Sequence, residues 1–298
     1  MRPAGWEAFP WLRAAFSTRE GGATTAFGMP NDLNLGWNVN DPAETVASNR
    51  ERFLQAVAGP GSEPGQLVAV RQFHSPLIRI IGPQAINLAT PEGRPTLRGD
   101  ALITNRADVT LAILTADCVP VLVADTRRRV VAAFHAGWRP TLARIVERGI
   151  GAMRLHFGSQ PKDLIAAIGP GIGACCYSVG EEVRFEFESQ FAYAPSLFSE
   201  VYDSDPVRDK YPLLFLTARA PGHSNIGPQI HLDLIEANRR QLLDAGLRES
   251  KISIVGECTA CTRLPNGQRR YFSHRDEHGH TGRMLSVIGM SPTPKTAN

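Results

Sequence analysis

A thiol and an imidazole stand at the ends of two strongly apolar segments, where reactive side chains are unexpected. Cys118 follows Asp117 inside the apolar residues 111–124, and His135 closes the apolar residues 130–134. An isolated Cys is usually a small packing residue in a protein core. If the two segments pair as strands about the charged turn between them, however, the thiol and the imidazole converge at neighbouring strand ends.

A second imidazole upstream extends this pair to a set of three. His74 follows a strand-like segment and precedes Pro76 in VAVRQFHSPLI. Zinc accepts thiolate and imidazole ligands, and a catalytic zinc keeps its fourth position open. His74, Cys118 and His135 are therefore candidate ligands of one zinc ion. The Cys–His pair alone is also a candidate nucleophile and base.

The surrounding sequence predicts the elements that position these residues. Further strands are predicted over residues 66–71, 77–81, 99–104 and 164–168, and helices over residues 41–54, 141–156, 181–187 and 231–247. This pattern predicts one α/β domain over residues 1–290, in which mixed β-sheets are layered with helices. Residues 291–298 are predicted to be a disordered tail.

Composition argues against several classes of protein. Hydrophobic residues make up 43% of the 298 residues, which supports a large core. The sequence has no stretch of about eighteen apolar residues, as a membrane span would need, and no signal-peptide leader. We therefore expect a cytoplasmic protein without a membrane partner. The net charge is only +3, and the single tight basic run, residues 127–129, lies on a hairpin turn. No nucleic-acid partner is expected, and the odd set of five cysteines favours reduced thiols.

Backbone and guanidinium groups near the Cys–His pair are candidate anion ligands. Gly171 and Gly173 belong to the tight loop GPGIGACC, whose N–H groups can cradle phosphate or a developing negative charge. This loop lacks the Lys of a P-loop and does not fit the dinucleotide fingerprint. Arg139 follows His135 closely, and a guanidinium can grip phosphate through two parallel hydrogen bonds.

Several motifs together resemble a known family. The segments TADCVPVLVAD and FHAGWR, with QFH upstream and IGPGIGACCYSVGEEV downstream, closely resemble the YfiH family. This family is also called the laccase-domain or multicopper polyphenol oxidase family, and its members are now regarded as purine nucleoside phosphorylases. The similarity runs from Phe16 to Met284 and implies a YfiH-like fold, related in shape to cysteine-hydrolase-like folds. It also implies that His74, Cys118 and His135 hold one zinc ion.

The resemblance gives other residues an expected role. Arg19 matches the family's R-x-G-G loop at the mouth of the site and becomes a candidate phosphate ligand; without the resemblance it would be an exposed turn residue. Asp117 of T-A-D-C joins Cys118 and His135 as an expected catalytic residue. Asp100 either orients a ligand His or is an acid at a turn.

The chain departs from the family pattern at three places. Pro140 stands where Gly usually follows G-W-R, and His274 replaces the usual Tyr of S-Y-R-R-D. Residues 192–229 form a proline-rich irregular segment, predicted to be a loop that shapes substrate access and exposes His223. These are the places where substrate choice can differ from the family's.

The resemblance implies a zinc enzyme that acts on purine nucleosides. Phosphate would cleave the N-glycosidic bond of adenosine, inosine or methylthioadenosine, and water would deaminate adenosine. The expected partners are a small nucleoside and phosphate. A copper-dependent polyphenol oxidase is an alternative, although the chain has only eight His. A cysteine hydrolase of peptidoglycan precursors, with Cys118 as nucleophile and His135 as base, and a non-enzymatic zinc protein are the others.

Overall fold

The computed structural model of the protein describes residues 1–37, 40–85, 88–90, 93–201 and 229–291. They form two compact units, one built from Met1–Gly173 with the chain from Leu234 onward, and the other from Ala174–Asp233. His223 and most of the predicted irregular loop lie outside the described residues, as does nearly all of the predicted tail. The boundaries of a single domain over residues 1–290 stay a prediction.

The described chain alternates short strands with a few helices. The strands are β1 (Leu12–Phe16), β2 (Glu20–Thr24), β3 (Gln66–Ala69), β4 (Ile78–Ile81), β5 (Ala101–Thr104), β6 (Val109–Thr115), β7 (Val119–Asp125), β8 (Val130–Ala136), β9 (Leu164–Ile168), β10 (Ser178–Val179), β11 (Phe198–Val201), β12 (Gln229–Leu232), β13 (Ile252–Ile254) and β14 (Met284–Met290). The helices are α1 (Ala43–Ala58), α2 (Trp138–Leu142), α3 (Ile145–Phe157), α4 (Glu181–Gln190) and α5 (Leu234–Asp244). None of these helices combines the length and hydrophobicity needed to cross a bilayer.

Two mixed sheets form the centre of the larger unit. One has the strand order β13-β9-β7-β8-β5-β4 and the other has the order β1-β14-β6-β3. The pairs β13/β9, β4/β5 and β3/β6 are parallel, and the remaining pairs are antiparallel. The predicted mixed α/β fold is therefore confirmed.

The main core lies between these two sheets. Leu122 of the six-stranded sheet and Leu111 and Ile288 of the four-stranded sheet belong to one fully buried apolar cluster. On the outer face of the four-stranded sheet, Phe53 of α1 packs in a second cluster. Helices α3 and α5 contact the six-stranded sheet. The larger unit therefore has four layers, helix, sheet, sheet and helices, and each sheet is buried on both faces.

The hairpin predicted between residues 111–124 and 130–134 exists, but the first of these segments is two strands. β7 pairs antiparallel with β8, with Val119 opposite Ala136, so the convergence of the two strand ends is confirmed. β6, in contrast, pairs with β3 and β14 in the other sheet. The chain therefore changes sheets between β6 and β7, at residues 116–118. The interruption within residues 111–124 therefore separates two strands of different sheets, where one interrupted strand was predicted.

Two helix predictions also need correction. The helix predicted over residues 141–156 is split into α2 and α3, because Arg144 has a φ of 59°, a left-handed conformation that an α-helix cannot accommodate. The helix predicted from residue 231 begins only at Leu234, since Gln229–Leu232 form strand β12. The prediction for residues 164–168 matches β9.

The smaller unit carries its own antiparallel sheet, of order β10-β12-β11. The Phe187 side chain of α4 is fully buried in this unit. Its ring meets that of Phe198 edge-on, with 6.0 Å between the centroids. This aromatic contact joins α4 to β11.

Candidate functional site

The turn between β6 and β7 presents Cys118 and is held in an unusual conformation. Asp117 has a φ of 90°, which non-glycine residues rarely adopt. Its carboxylate accepts one hydrogen bond from the Thr259 hydroxyl at 2.7 Å and another from the Arg275 N–H at 2.7 Å. Its carbonyl accepts a third from the Ile172 N–H at 2.8 Å. These three bonds offset the backbone strain and hold the turn that carries Cys118.

His135 reaches the same place from the end of β8. Its backbone N–H donates to the Asp100 carbonyl at 2.7 Å, and its ring Nδ1 donates to the Asp100 carboxylate at 2.8 Å. A carboxylate only accepts hydrogen bonds, so this contact places the ring proton on Nδ1. With Nδ1 committed to Asp100, Nε2 is the ring nitrogen of His135 that remains for a metal ion, the arrangement found when a carboxylate orients a ligand histidine.

The same carboxylate holds the loop that carries His74. His74 has a φ of 62°, and its N–H donates to Asp100 at 3.0 Å, beside N–H bonds from Phe73 at 3.2 Å and Ser75 at 2.7 Å. Burial alone would raise the pKa of Asp100, but hydrogen bonds from His135 and Ser75 lower it to about 2. Of the two roles left open for Asp100, the geometry therefore supports the ligand-orienting one.

The three candidate ligands converge. One donor atom each from His74, Cys118 and His135 lies within 4.8 Å of the others. Cys118 Sγ is 3.8 Å from His74 Nε2. Gly137 permits this approach, because a Cβ there would lie 2.8 Å from Cys118 Sγ and 3.2 Å from the His74 ring. His74 is exposed, Cys118 half-buried and His135 buried, so the cluster opens to the surface on the His74 side.

Charge coupling within the cluster favours a thiolate. Burial alone would raise the pKa of the Cys118 thiol, but the neighbouring His135 imidazole lowers it. Burial alone would likewise lower the pKa of His135, whereas the Cys118 thiolate and Asp100 raise it. A thiolate is the form that binds a metal ion and the form that attacks an electrophile. The donor set N, S, N with one open side fits zinc.

Arg19 does not lie free at the mouth of this site. Its side chain is 1% exposed, and its Nε and Nη2 atoms donate to the Asp32 carboxylate at 2.7 and 2.9 Å. Nη1 donates to Glu277 at 2.7 Å, and Nη2 also donates to the Phe27 carbonyl at 2.6 Å. These bonds occupy the guanidinium donors of Arg19 and argue against the expectation that it holds phosphate, which stays a prediction.

The glycine loop after β9 is also engaged with the protein itself. Gly171 packs on Val119, where a Cβ would lie 2.6 Å from Val119 Cγ2. The Gly173 N–H donates to Cys258 Sγ at 3.2 Å, and the Ile172 N–H is bound to the β6–β7 turn. These glycines therefore allow close packing of the loop, and the expected phosphate cradle has two of its N–H groups already used.

Arg139 and Pro140 lie on the short helix α2. The Arg139 side chain is exposed, with its guanidinium carbon 4.5 Å from the centre of the Trp138 ring. Pro140 is buried in the first turn of this helix, where its missing N–H is tolerated. His274 is exposed. Arg139 thus stays a candidate anion ligand.

Two residues of the site escaped prediction from sequence. Gly137 has no signal beyond its place in FHAGWR, and its closeness to Cys118 appears only in three dimensions. Arg283 lies in the T-G-R segment before β14, and its positive charge acts on Asp117 and Cys118. Only the motif match at T-G-R pointed to this segment.

The larger unit is a four-layer mixed α/β structure, and its Cys–His–His cluster lies where the chain passes from one sheet to the other. This fold and these donor atoms are those of a candidate metal-binding protein. A family profile described as multi-copper polyphenol oxidoreductase laccase matches residues 13–291, and the chain belongs to this laccase-domain family. The resemblance found in the sequence motifs is therefore confirmed.

Relatives of known name or structure cover nearly the whole chain. The purine nucleoside phosphorylase YlmD of Geobacillus stearothermophilus is 32% identical over 292 residues, 95% of each chain. The purine nucleoside phosphorylase of Deinococcus radiodurans is 33% identical over 288 residues, 94% of this chain and 93% of its own. The crystal structure of the hypothetical protein YfiH of Bacillus licheniformis superimposes with a TM-score of 0.77 at 29% identity, covering 96% of this chain and 94% of its own.

Proposed function

We propose that the protein is a zinc-dependent purine nucleoside phosphorylase that also deaminates adenosine. The Cys–His–His cluster with an open side carries this proposal, in a chain whose relatives are named purine nucleoside phosphorylases. Adenosine, inosine and methylthioadenosine are the proposed nucleosides, and phosphate is the second substrate. A cytoplasmic location, without nucleic-acid or membrane partners, belongs to the same proposal and rests on the mild net charge and the cysteine usage.

The donor atoms of His74, Cys118 and His135 fit one zinc ion. His74, Cys118 and His135 would hold it, and it would supply a Lewis acid at neutral pH. Asp100 keeps the ring proton of His135 on Nδ1, which leaves Nε2 as the donor. Asp117 is committed to Thr259 and to backbone, so we give it the role of positioning Cys118 rather than of transferring protons.

The two proposed reactions would use the same Cys–His–His cluster and differ in the attacking group. In phosphorolysis, a phosphate oxygen bonds to C1′ of the ribose as the C1′–N9 bond breaks, and the purine takes the electron pair and the proton of the phosphate. In deamination, the oxygen of water bonds to C6 of adenosine and ammonia leaves. The exposure of His74 gives a nucleoside access to the cluster from the surface.

A cysteine hydrolase is the second candidate. The lowered pKa of Cys118 beside His135 favours it, because a thiolate next to an imidazole is also an activated nucleophile. Cell-wall precursors are the proposed substrates in that case. Such an enzyme would keep its activity after complete metal removal, whereas the proposed phosphorylase would lose it.

Metal quantitation followed by product analysis tests the proposal. We expect about one zinc per chain in protein purified without added metal, adenine and ribose 1-phosphate from adenosine with phosphate, and inosine from adenosine alone. Cys118→Ala and His74→Gln should lose both the metal and both activities. His156→Gln, which changes an exposed imidazole at the end of α3, is the matched control and should lose neither.

Other products would favour a rival function. Copper in place of zinc, with oxidation of phenols and no adenine or inosine, would favour the polyphenol oxidase. Peptide-bond hydrolysis that survives chelation would favour the cysteine hydrolase. Full zinc retention in Cys118→Ala would contradict the ligand set itself.

A further inference from the structure

Arg283 lies directly before strand β14, which is the neighbour of strand β6 and so of the turn that carries Cys118. Strand β14 begins at Met284, which pairs with Thr115, the last residue of β6. Arg283 directly precedes Met284, so in this antiparallel pair it lies opposite residue 116. This is the point at which the chain leaves the four-stranded sheet and turns toward the metal-ligand cluster.

The backbone and the stem of Arg283 are fixed by the segment before α1. Its N–H donates to Asn34 Oδ1 at 2.9 Å, and its carbonyl accepts from the Leu35 N–H at 2.9 Å. Its Cβ and Cγ lie against Gly36, where a Cβ would be 2.6 and 2.7 Å away from them. A side chain held at its base in this way loses less conformational entropy when its tip binds a ligand.

The tip of the side chain keeps part of its hydrogen-bonding capacity. Nη1 donates to the carbonyls of Thr281 at 3.2 Å and Gly282 at 2.9 Å. Within the described part of the chain, Nε and Nη2 donate to no protein atom and no carboxylate pairs with this guanidinium. The Nε and Nη2 edge is the pair of parallel donors that matches two oxygens of a phosphate.

The charged groups that act on Arg283 include residues of the Cys118 turn. Burial lowers the pKa of Arg283, and the negative charges of Asp117, Cys118 and Glu277 oppose that effect. Of these three, Glu277 is already paired with Arg19, and Asp117 is bound to Thr259 and to backbone. The positive charge of Arg283 is therefore available to a further anion beside Cys118.

A cation here would help a phosphate to enter this site. The phosphate must pass the carboxylates of Asp100 and Asp117, and the Cys118 thiolate offsets part of the charge of a zinc ion bound there, whereas like charges repel strongly in a partly buried site. Arg19 cannot compensate, since its donors are occupied. Arg139 is exposed to water and stacked on Trp138, so it is the weaker candidate.

We infer that Arg283 binds the attacking phosphate through its Nε and Nη2 atoms, beside Cys118. This inference rests on the proposed phosphorylase activity and names the residue that holds its second substrate. Deamination of adenosine uses water in place of phosphate, so Arg283 serves only one of the two proposed reactions. Loss of a phosphate ligand would affect phosphorolysis alone, whereas loss of a residue that merely stabilises the fold would affect both reactions.

The test compares two variants of Arg283 with a competing residue. For Arg283→Gln we expect the Michaelis constant for phosphate to rise about tenfold or more, because the two charge-assisted hydrogen bonds to the phosphate are lost. The Michaelis constant for the nucleoside, the rate of deamination and the zinc content should stay within about twofold of wild type. Arg283→Lys keeps the charge without the fork and should show an intermediate rise. Arg139→Gln, at the exposed competing candidate, should raise the phosphate constant by a smaller factor than Arg283→Gln does.

Results that differ from these would contradict either the phosphate role of Arg283 or the proposed function. An unchanged phosphate constant in Arg283→Gln, with phosphorolysis intact, overturns the inference and leaves the proposed function standing. Equal loss of phosphorolysis and deamination at normal zinc content also overturns it. If wild type does not phosphorolyse nucleosides, the proposed function fails instead. Should Arg283→Gln not fold, the Arg283→Lys variant decides, and a phosphate constant equal to wild type in it contradicts the inference.

Discussion

A single buried carboxylate organises the candidate metal site at the scale of residues. Asp100 accepts hydrogen bonds from the His135 ring, from the N–H groups of His74 and Ser75, and from the Ser75 hydroxyl. It therefore fixes both candidate imidazole ligands, His135 through its ring and His74 through its backbone. Cys118 depends on a separate set of bonds, those of the β6–β7 turn.

Asp100→Asn should weaken metal binding while leaving the chain folded. The amide keeps the size of the carboxylate but loses its charge and one acceptor, so His135 is oriented less firmly. Loss of such a supporting group typically lowers metal affinity about 10–100-fold. Competition with a chelator of known affinity measures it. Asp108→Asn, whose side chain is 66% exposed and paired with Arg106, is the control, and equal affinities in the two variants would refute the role of Asp100.

Gly137→Ala should disturb the metal cluster although it adds only a methyl group. The new Cβ would lie 2.8 Å from Cys118 Sγ, so the thiolate must move. We expect loss of most of the bound zinc and of both activities. Gly151→Ala is the matched control, because a Cβ there meets no atom within 4 Å, and it should stabilise α3 by up to about 1 kcal/mol. Normal zinc content in Gly137→Ala would contradict the close approach.

At the scale of elements, the site depends on how one chain crosses between two sheets. β6 lies in the four-stranded sheet and β7 in the six-stranded sheet. The three residues between them cannot continue either hydrogen-bond ladder. Distant segments supply the missing partners, with Thr259 and Arg275 on the Asp117 carboxylate and Ile172 on its carbonyl.

Thr259→Val should therefore affect both stability and activity. Valine has nearly the same shape but leaves one oxygen of the buried Asp117 without its donor, which costs about 1–3 kcal/mol. We expect a lower melting temperature and a lower turnover, because the Cys118 turn relaxes. Thr126→Val removes a comparable hydroxyl, which donates to Asp163 at the other end of β7. It should lower the melting temperature only, and a turnover equally reduced in both variants would rule out a specific effect at the turn.

On the scale of the whole molecule, Arg19 joins parts of the chain that are far apart in sequence. It bonds Asp32 near the first strands and Glu277 in the loop before β14, 258 residues further on. All three side chains are at most 7% exposed. Removing the cation would leave two buried carboxylates without their partner, which is the costly way to break a buried ion pair.

Arg19→Met should destabilise the fold without any effect specific to phosphate. We expect the free energy of unfolding to fall by about 3–5 kcal/mol, measured by chemical denaturation. Arg184→Met, which breaks a half-exposed pair with Glu188, should have a much smaller effect. At a temperature where Arg19→Met is folded, its Michaelis constant for phosphate should equal that of wild type. A large rise in that constant would restore Arg19 as a phosphate ligand.

The sequence determined the elements and residue types that depend on local pattern. The strand at residues 164–168 and the hairpin that brings Cys118 toward His135 follow from short apolar runs bounded by turn residues. The donor types at His74, Cys118 and His135 predicted a metal site because zinc chemistry depends on those atoms. Resemblance to the laccase-domain motifs identified the family in advance.

The tertiary structure determined which polar groups still have unused hydrogen-bond donors. Arg19 and Gly173 have the residue types of anion ligands, yet their donors are spent on Asp32, Glu277 and Cys258. Arg283 has no local signal, but the pairing of β14 with β6 places it beside the Cys118 turn. Each of these outcomes depends on partners far along the chain. Burial and hydrogen bonding between such partners arise only when two sheets pack together, so a local pattern cannot encode them.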